Sequence, residues 1–282
     1  MASPRPAWPR DKRCAVTLTF DFDAETVWLS RDPANKNRPV TLSQGKYGAK
    51  IAVPRILRLL RKYKVPATFF TPGWVIENHR SVVEEILSNG HEIAHHGYLH
   101  EWPDTLSLDD EKKILDKGIE IIRDLTGQKP KGYRSPAWEF SVNTLRLLVE
   151  RGFLYSSNMM DDEIPYLHTV DDKPTDLVEL PVQWLLDDAP NFMFGSARQP
   201  INRVIATPMK TYRLFASEFD GLYADGKLFN LTMHPQLTGR PSRTRMLEKL
   251  IRHIKARPDV WFAKCADVAE YWLKTTKERG KK

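Results

Sequence analysis

The sequence predicts a single-domain α/β fold with a parallel sheet and helices outside, a distorted (β/α) barrel of about seven parallel strands with long loops around its site, with an open doubly wound sheet as the alternative that the alternation allows. Three observations lead there. Short runs with strand-like alternation take turns with longer runs of helical period along most of the chain. Three irregular stretches, 26–50, 159–176 and 186–206, are longer than ordinary connectors, as site loops of a barrel often are. The chain of 282 residues, 41% hydrophobic and 28% charged, suits one such barrel rather than a disordered polymer.

The elements follow in order. From Cys14 to Phe22, Val16, Leu18, Phe20 and Phe22 alternate with Ala15, Thr17 and Thr19, a strand pattern. Over 54–63, Ile56, Leu57, Leu59, Leu60 and Tyr63 share a helical face, and Pro54 suits the first turn. Strand 67–71 precedes a helix over 81–89 that Gly90 stops. Strand 91–96 follows. Ser107 caps the next helix, with Asp109, Asp110 and Glu111 in the first turn where the dipole favours carboxylates. A short strand over 131–134 leads to a helix capped by Ser141 and ended by Gly152. Further strands are read over 153–156, 177–184, 228–233 and 260–263, and helices over about 207–222, 243–257 and 266–277.

Residues 1–13 read as an N-terminal extension, 14–273 as the barrel and 274–282 as a basic tail. Much of the net charge of +7 sits in that tail, in Lys274, Lys277, Arg279, Lys281 and Lys282. A solvated tail accounts for it, and no nucleic-acid motif accompanies it, so no nucleic-acid partner is expected. Apolar runs are only a few residues long, which argues against a membrane span. The N-terminus has no apolar stretch after its basic residues, so a cytoplasmic protein is expected. Cys14 and Cys265 make no disulfide framework and read as reduced thiols.

Five clusters at strand ends carry chemistry. Asp21 and Asp23 point to one face, where two carboxylates need a cation or a proton between them; a loop-capping pair is the plainer alternative. His96 and His100, with Gly97 between them, can converge on one ion, while His95 points the other way as a core or supporting residue. The run from His91 to His95 matches H-E-x-x-H. That zinc-protease pattern works only on a helix, and here the βα rhythm calls for a strand. Arg134, before Ser135, Pro136, Ala137 and Trp138, can orient a carboxylate or merely close a loop. The run from Leu180 to Asp188 and His234 before Pro235 complete the set. Trp28, Trp74, Trp102, Trp138 and Trp184 lie in or beside these loops, either to stack on sugar faces or as packing at the mouth.

Taken in order, from about Cys14 to Leu273, these clusters resemble the polysaccharide deacetylase family, the group with the NodB homology domain. The family's first motif usually reads Thr-Phe-Asp-Asp-Gly; here Phe22 separates the two Asp and the Gly is replaced. That brings the chain closer to the Asp-x-Asp-Ala branch, which includes an intracellular-type peptidoglycan deacetylase and cyclic imide or ureide hydrolases. The resemblance implies Asp21 as general base, Asp23, His96 and His100 as metal ligands, and Arg134 as the residue that holds the base. It implies an oxyanion donor at the backbone N–H near Ala137 and His234 as general acid, tuned by Asp187 or Asp188. Trp138 and Trp184 stand as support or substrate contacts. One divalent metal is implied; the ligand set suits Zn²⁺, with Co²⁺, Mn²⁺, Ni²⁺ or Fe²⁺ as alternatives. Long loops and the branch resemblance point to a homo-oligomer.

The expected function is metal-dependent hydrolysis of a non-peptide amide, foremost N-deacetylation of an N-acetylated amino sugar in a peptidoglycan- or chitin-like glycan. Hydrolysis of a small cyclic imide or ureide such as allantoin uses the same site in a more closed pocket. A non-catalytic carbohydrate-binding protein is the third reading, and an intact set of base, ligands and acid speaks against it.

Overall fold

The computed structural model describes residues 8–9, 12–194 and 204–279. Among the described residues nine strands form one sheet: β1 (Cys14–Asp21), β2 (Thr68–Thr71), β3 (Glu92–His95), β4 (Gly132–Tyr133), β5 (Tyr155–Ser156), β6 (Tyr166–Val170), β7 (Lys173–Glu179), β8 (Leu228–Met233) and β9 (Val260–Ala263). The order is β6-β7-β5-β4-β3-β2-β1-β8, with β9 also on β1. Every pairing is parallel except the β6–β7 hairpin. β8 lies along Ala15–Phe20 of β1, while β9 pairs with Cys14–Thr17 and β2 with Thr19–Asp21. β2 and β9 therefore share the edge of β1 opposite β8. The sheet curls into a half-barrel. Across its seam Asn230 Nδ2 in β8 donates to the carbonyls of Leu180 and Pro181, at 3.3 and 3.0 Å, just after β7.

β1 shows how alternation builds the two sides of this wall. Val16, Leu18, Phe20 and Phe22 join the large core cluster, with side chains of helices Val53–Tyr63, Arg80–Ser88, Pro208–Asp225 and Pro241–Lys255. On the other face Thr17 Oγ1 donates to Asn230 and Thr19 Oγ1 to the Leu231 carbonyl, inside a polar interior. Both faces are buried, as expected of a strand covered by helices outside and side chains inside.

Several expectations need correction. The stretch 26–50 is not loop: it holds helices Thr26–Leu29 and Pro39–Tyr47, a 3₁₀ turn Pro33–Asn37, and a π turn Gly48–Ala52 leading into the next helix. Pro39–Tyr47 buries only Gly45, so no apolar stripe announces it. Residues 159–176 contain β6 and the start of β7, turned by Asp171 and Asp172 at φ 50° and 60°. The strand read over 177–184 ends at Glu179. Ser141 does not cap the helix Thr144–Glu150; its hydroxyl accepts from Asn143 N and donates to buried Glu111. The basic tail continues the last helix, Cys265–Arg279, and Lys277 pairs with Asp176; 280–282 lie outside the described residues. Nor is all of 1–13 an appendage. Trp8 is buried against Trp261 and Trp272, and its Nε1 donates to the Gly226 carbonyl. Among the described residues no helix is long and apolar enough to cross a membrane.

A glycine in helix Leu108–Thr126 leaves room for His95. A Cβ on Gly118 would stand 2.2 Å from His95 Nε2, which sits 3.2 Å from the Leu115 carbonyl. Gly118→Ala is expected to destabilise the fold by about 1–3 kcal/mol through overpacking, measured as a lower denaturant midpoint at constant slope. An unchanged midpoint would contradict this packing.

Candidate metal centre and active site

The site grows from strand ends. After β1, Phe22 N donates to the Phe70 carbonyl at 2.8 Å, so the extended backbone continues and Asp23 keeps the face of Asp21. Ala24 then turns the chain at φ 46°. After β3, Gly97 at φ 72° and His100 at φ 64° fold the chain back on itself. Glu101 holds that turn, accepting from the N–H groups of Tyr98 and Leu99 at 3.0 and 2.8 Å. The His96 and His100 rings come to 5.3 Å between centroids. Candidate ligand atoms of Asp23, His96 and His100 all lie within 4.8 Å of one another. Asp23 Oδ1 is 3.4 Å from His96 Nε2 and 3.9 Å from His100 Nε2.

This cluster fits a cation. Both Asp23 carboxylate oxygens are buried without a hydrogen-bond partner among the described residues, a costly state for an ionised group unless something positive meets them. His96 Nδ1 lies 2.7 Å from the Arg134 carbonyl, which can only accept, so Nδ1 carries the proton and Nε2 presents a lone pair. Burial lowers the His100 pKa to about 4, keeping it neutral. Burial works to raise the Asp23 pKa, but His100, His96 and His234 outweigh it and leave it below the ordinary range. One carboxylate and two imidazoles make a donor set for a divalent metal.

Beside it, Arg134 crosses the barrel interior with no exposed surface. Its Nη1 donates to Asp21 Oδ1 at 2.7 Å and to Thr19 Oγ1 at 2.8 Å. Its Nη2 and Nε donate to the hydroxyl and carbonyl of Ser157, and its guanidinium lies 4.0 Å over the Phe70 ring. One oxygen of Asp21 is thus pinned, while Oδ2 stands 4.0 Å from His96 Nε2.

Opposite stands His234, whose Nε2 is 3.8 Å from Asp23 Oδ2. The choice between its two acidic neighbours is decided by geometry. Asp188 Oδ1 takes His234 Nδ1 at 2.7 Å, and the Asp188 carboxylate also accepts from His234 N and from Thr238 Oγ1. Asp187 Oδ1 is 3.6 Å from Nδ1 and is instead used by Ala189 N at 2.7 Å. Burial opposes charge on His234, but the Asp188 hydrogen bond and the charges of Asp187, Asp188 and Asp23 raise its pKa well above that of a free imidazole. Burial first, and Asp188 besides, raise the Asp187 pKa to about 7, with His234 working against them. Asp187, Asp188 and His234 also lie close enough to hold an ion, but the Asp188 oxygens already have partners.

A polysaccharide deacetylase family model matches residues 10–156, which include Asp21, Asp23, His96, His100 and Arg134. The chain belongs to the polysaccharide deacetylase family. It is thus a member of a family of hydrolases that act on amide bonds. It is 35% identical to a peptidoglycan deacetylase of Helicobacter pylori, over 93% of this chain and 97% of that one. A crystal structure from the same family, of a Mycobacterium smegmatis protein, superposes with a TM-score of 0.92 at 42% identity, covering 98% and 96%. PuuE allantoinase superposes at 0.84 with 25% identity, covering 97% and 94%.

In this deacetylase-family chain the H-E-x-x-H run is structural. His91 Nδ1 accepts from Ala67 N, and Glu92, on a strand, accepts from Thr68, Tyr155 and Ala266 N. His95 is core. Ala137 and Trp138 both adopt left-handed φ, 58° and 60°, and Trp138 N donates to the Ser135 carbonyl at 3.1 Å. Trp138 is buried against Trp184, ring centroids 4.6 Å apart, and Trp184 is 51% exposed. Trp28 and Trp184 line one cleft, Trp74 lines a separate hollow, and Trp102 is exposed. Sequence reasoning missed Thr19, Ser157 and Glu101, which hold Arg134 and the His100 turn. It also missed Asn158, whose Oδ1 accepts from Ser135 N, and Glu179, which accepts from Asn158 N and Met159 N and meets His168 at 2.7 Å. Glu101, beside His100, and Thr19, two positions before Asp21 on the same strand face, stand close in sequence to predicted site residues; Ser157 and Asn158 do not.

Proposed function

We propose that this protein removes the N-acetyl group of an amino sugar in a peptidoglycan- or chitin-like glycan, with one divalent cation held by Asp23, His96 and His100. The observation that carries the reading is the placement of an Arg134-held carboxylate and an Asp188-held imidazole on two sides of the same buried ligand cluster. Zinc suits one carboxylate and two imidazoles best, with cobalt, manganese, nickel or iron as alternatives. A cation there supplies Lewis-acid polarisation of the amide carbonyl and a water of lowered pKa.

The chain's own residues do the rest. Asp21, held by Arg134, takes the proton of the attacking water. The backbone N–H at Ala137 donates to the oxygen that becomes negative as the tetrahedral carbon forms. His234, charged because Asp188 and its neighbours favour that state, gives its proton from Nε2 to the leaving nitrogen, which would otherwise depart as an amide anion. Trp138 and Trp184 wall the approach and offer an aromatic face to a sugar ring.

The likeness to PuuE allantoinase supports a second reading, hydrolysis of a small cyclic imide or ureide by the same groups. Zinc-loaded protein assayed on N-acetylglucosamine oligomers and on a panel of cyclic imides and ureides separates the two. Release of acetate from the oligomers alone is expected. Turnover of rings alone would replace the substrate and keep the site; turnover of neither would leave the carbohydrate-binding reading in its place.

A further inference from the structure

A cleft of about 750 Å³ opens beside the His234 side of the site, within the size range of small-molecule pockets. Two of the segments that build the acid pair also build its wall: Ala189 follows Asp188, and Gln236 stands two residues after His234. Its described lining includes Arg31, Arg240 and Arg243 and no aspartate or glutamate. Arg240 stacks on Tyr47 at 3.6 Å, and Arg243 stacks on Phe192 at 4.2 Å while donating to the Leu237 carbonyl at 3.1 Å. Among the described residues no salt bridge in contact is made by Arg240 or Arg243, although the charge of Asp188 reaches Arg243; both stems are anchored and both heads line the cleft.

Gln236 adds a second, independent sign. The residue is 4% exposed, and among the described residues neither its Oε1 nor its Nε2 has a hydrogen-bond partner. A buried amide with donor and acceptor both unused is unfavourable in an empty pocket and is relieved by a polar ligand. Trp28 and Trp184 supply apolar faces in the same cleft. Aromatic faces, a buried amide and the two guanidinium groups of Arg240 and Arg243 together describe a binding place for a ring that bears an anionic substituent.

We propose that this cleft binds the amine-bearing half of the substrate and selects for a carboxylate on it, held by Arg240 and Arg243 with the Gln236 amide beside them. The inference rests on the proposed amide hydrolysis, because His234 delivers its proton to the leaving nitrogen and the cleft opens on that side. Acidic amino sugars are then favoured over neutral ones, and the preference weakens with salt.

The test compares N-acetylmuramic acid with its methyl ester, which keeps the ring and the amide and removes the charge. The acid is expected to exceed the ester in kcat/KM by about tenfold to a hundredfold. That ratio is expected to shrink as salt is raised and to approach one in the double variant Arg240→Gln, Arg243→Gln. Equal turnover of acid and ester by the unaltered protein, or a ratio that survives the double substitution in folded protein, would overturn the assignment while leaving the hydrolase reading intact. If neither compound is turned over, titration of the unaltered protein with muramic acid and with glucosamine decides the matter by binding alone. Tenfold tighter binding of the acid, lost in the double variant, supports the cleft; equal binding refutes it.

Discussion

Asp23→Asn is expected to abolish stoichiometric metal binding and to lower turnover by about two to four orders of magnitude. The size follows from the several kcal/mol that a Lewis acid supplies in the transition state, at about 1.4 kcal/mol per tenfold. The cause lies in the donor set. Asp23 is the one carboxylate of that ligand cluster, and among the described residues neither of its buried oxygens has a hydrogen-bond partner. Asparagine keeps the shape and gives up the charge. Metal content by elemental analysis reads the first effect, and the metal-dependent rise in melting temperature, which follows mass action, reads it again. A variant that retains one metal per chain with the same affinity would show that the ion sits elsewhere or that the two imidazoles suffice.

The second large effect separates chemistry from metal binding. Asp21→Asn is expected to lower kcat by about a hundredfold to ten-thousandfold, the usual contribution of a positioned base, while metal content stays at the unaltered level. Asparagine is the right replacement here because its carbonyl can still accept from Arg134 Nη1, as Asp21 Oδ1 does at 2.7 Å. Alanine would leave a fully buried guanidinium without its carboxylate, a loss of about 3–5 kcal/mol of stability that would confuse the result. Activity within tenfold of the unaltered protein, with metal retained, would remove Asp21 from the role of base.

The two variants divide the site as its geometry does. Asp21 and Asp23 are neighbours on one strand end, yet one faces a permanent cation and the other faces imidazoles. Their different surroundings, rather than their shared chemistry, are the ground for the different roles proposed for them. The same holds for Asp187 and Asp188, of which Asp188 alone makes the short contact with His234 Nδ1.

Much of this was legible in the chain, and where it was not, the reason is physical. Alternation along β1 placed Asp21 and Asp23 on one face, because side chains change sides at every residue of an extended strand. The glycine between His96 and His100 announced a reversal, although the turn is completed by His100 itself at φ 64° and by the Glu101 carboxylate. The helices with apolar stripes, such as Val53–Tyr63, were visible; Pro39–Tyr47, with its single buried glycine, was not. The β6–β7 hairpin escaped notice because two aspartates make its turn, where Asn-Gly or Asp-Gly is the usual sign.

The sequence by itself determined the βα rhythm, the residue types at each strand end and the pairing of carboxylates and imidazoles by short spacing. These depend on neighbours a few positions apart, whose relation is set by backbone period and turn chemistry. Only the tertiary structure decided that Arg134 reaches Asp21 across 113 positions, that Asp188 rather than Asp187 holds His234, and that Gln236 shares a cleft with Arg31 and Trp28. Such contacts join residues on separate elements, and the order and curl of the sheet, which local pattern does not encode, bring them together.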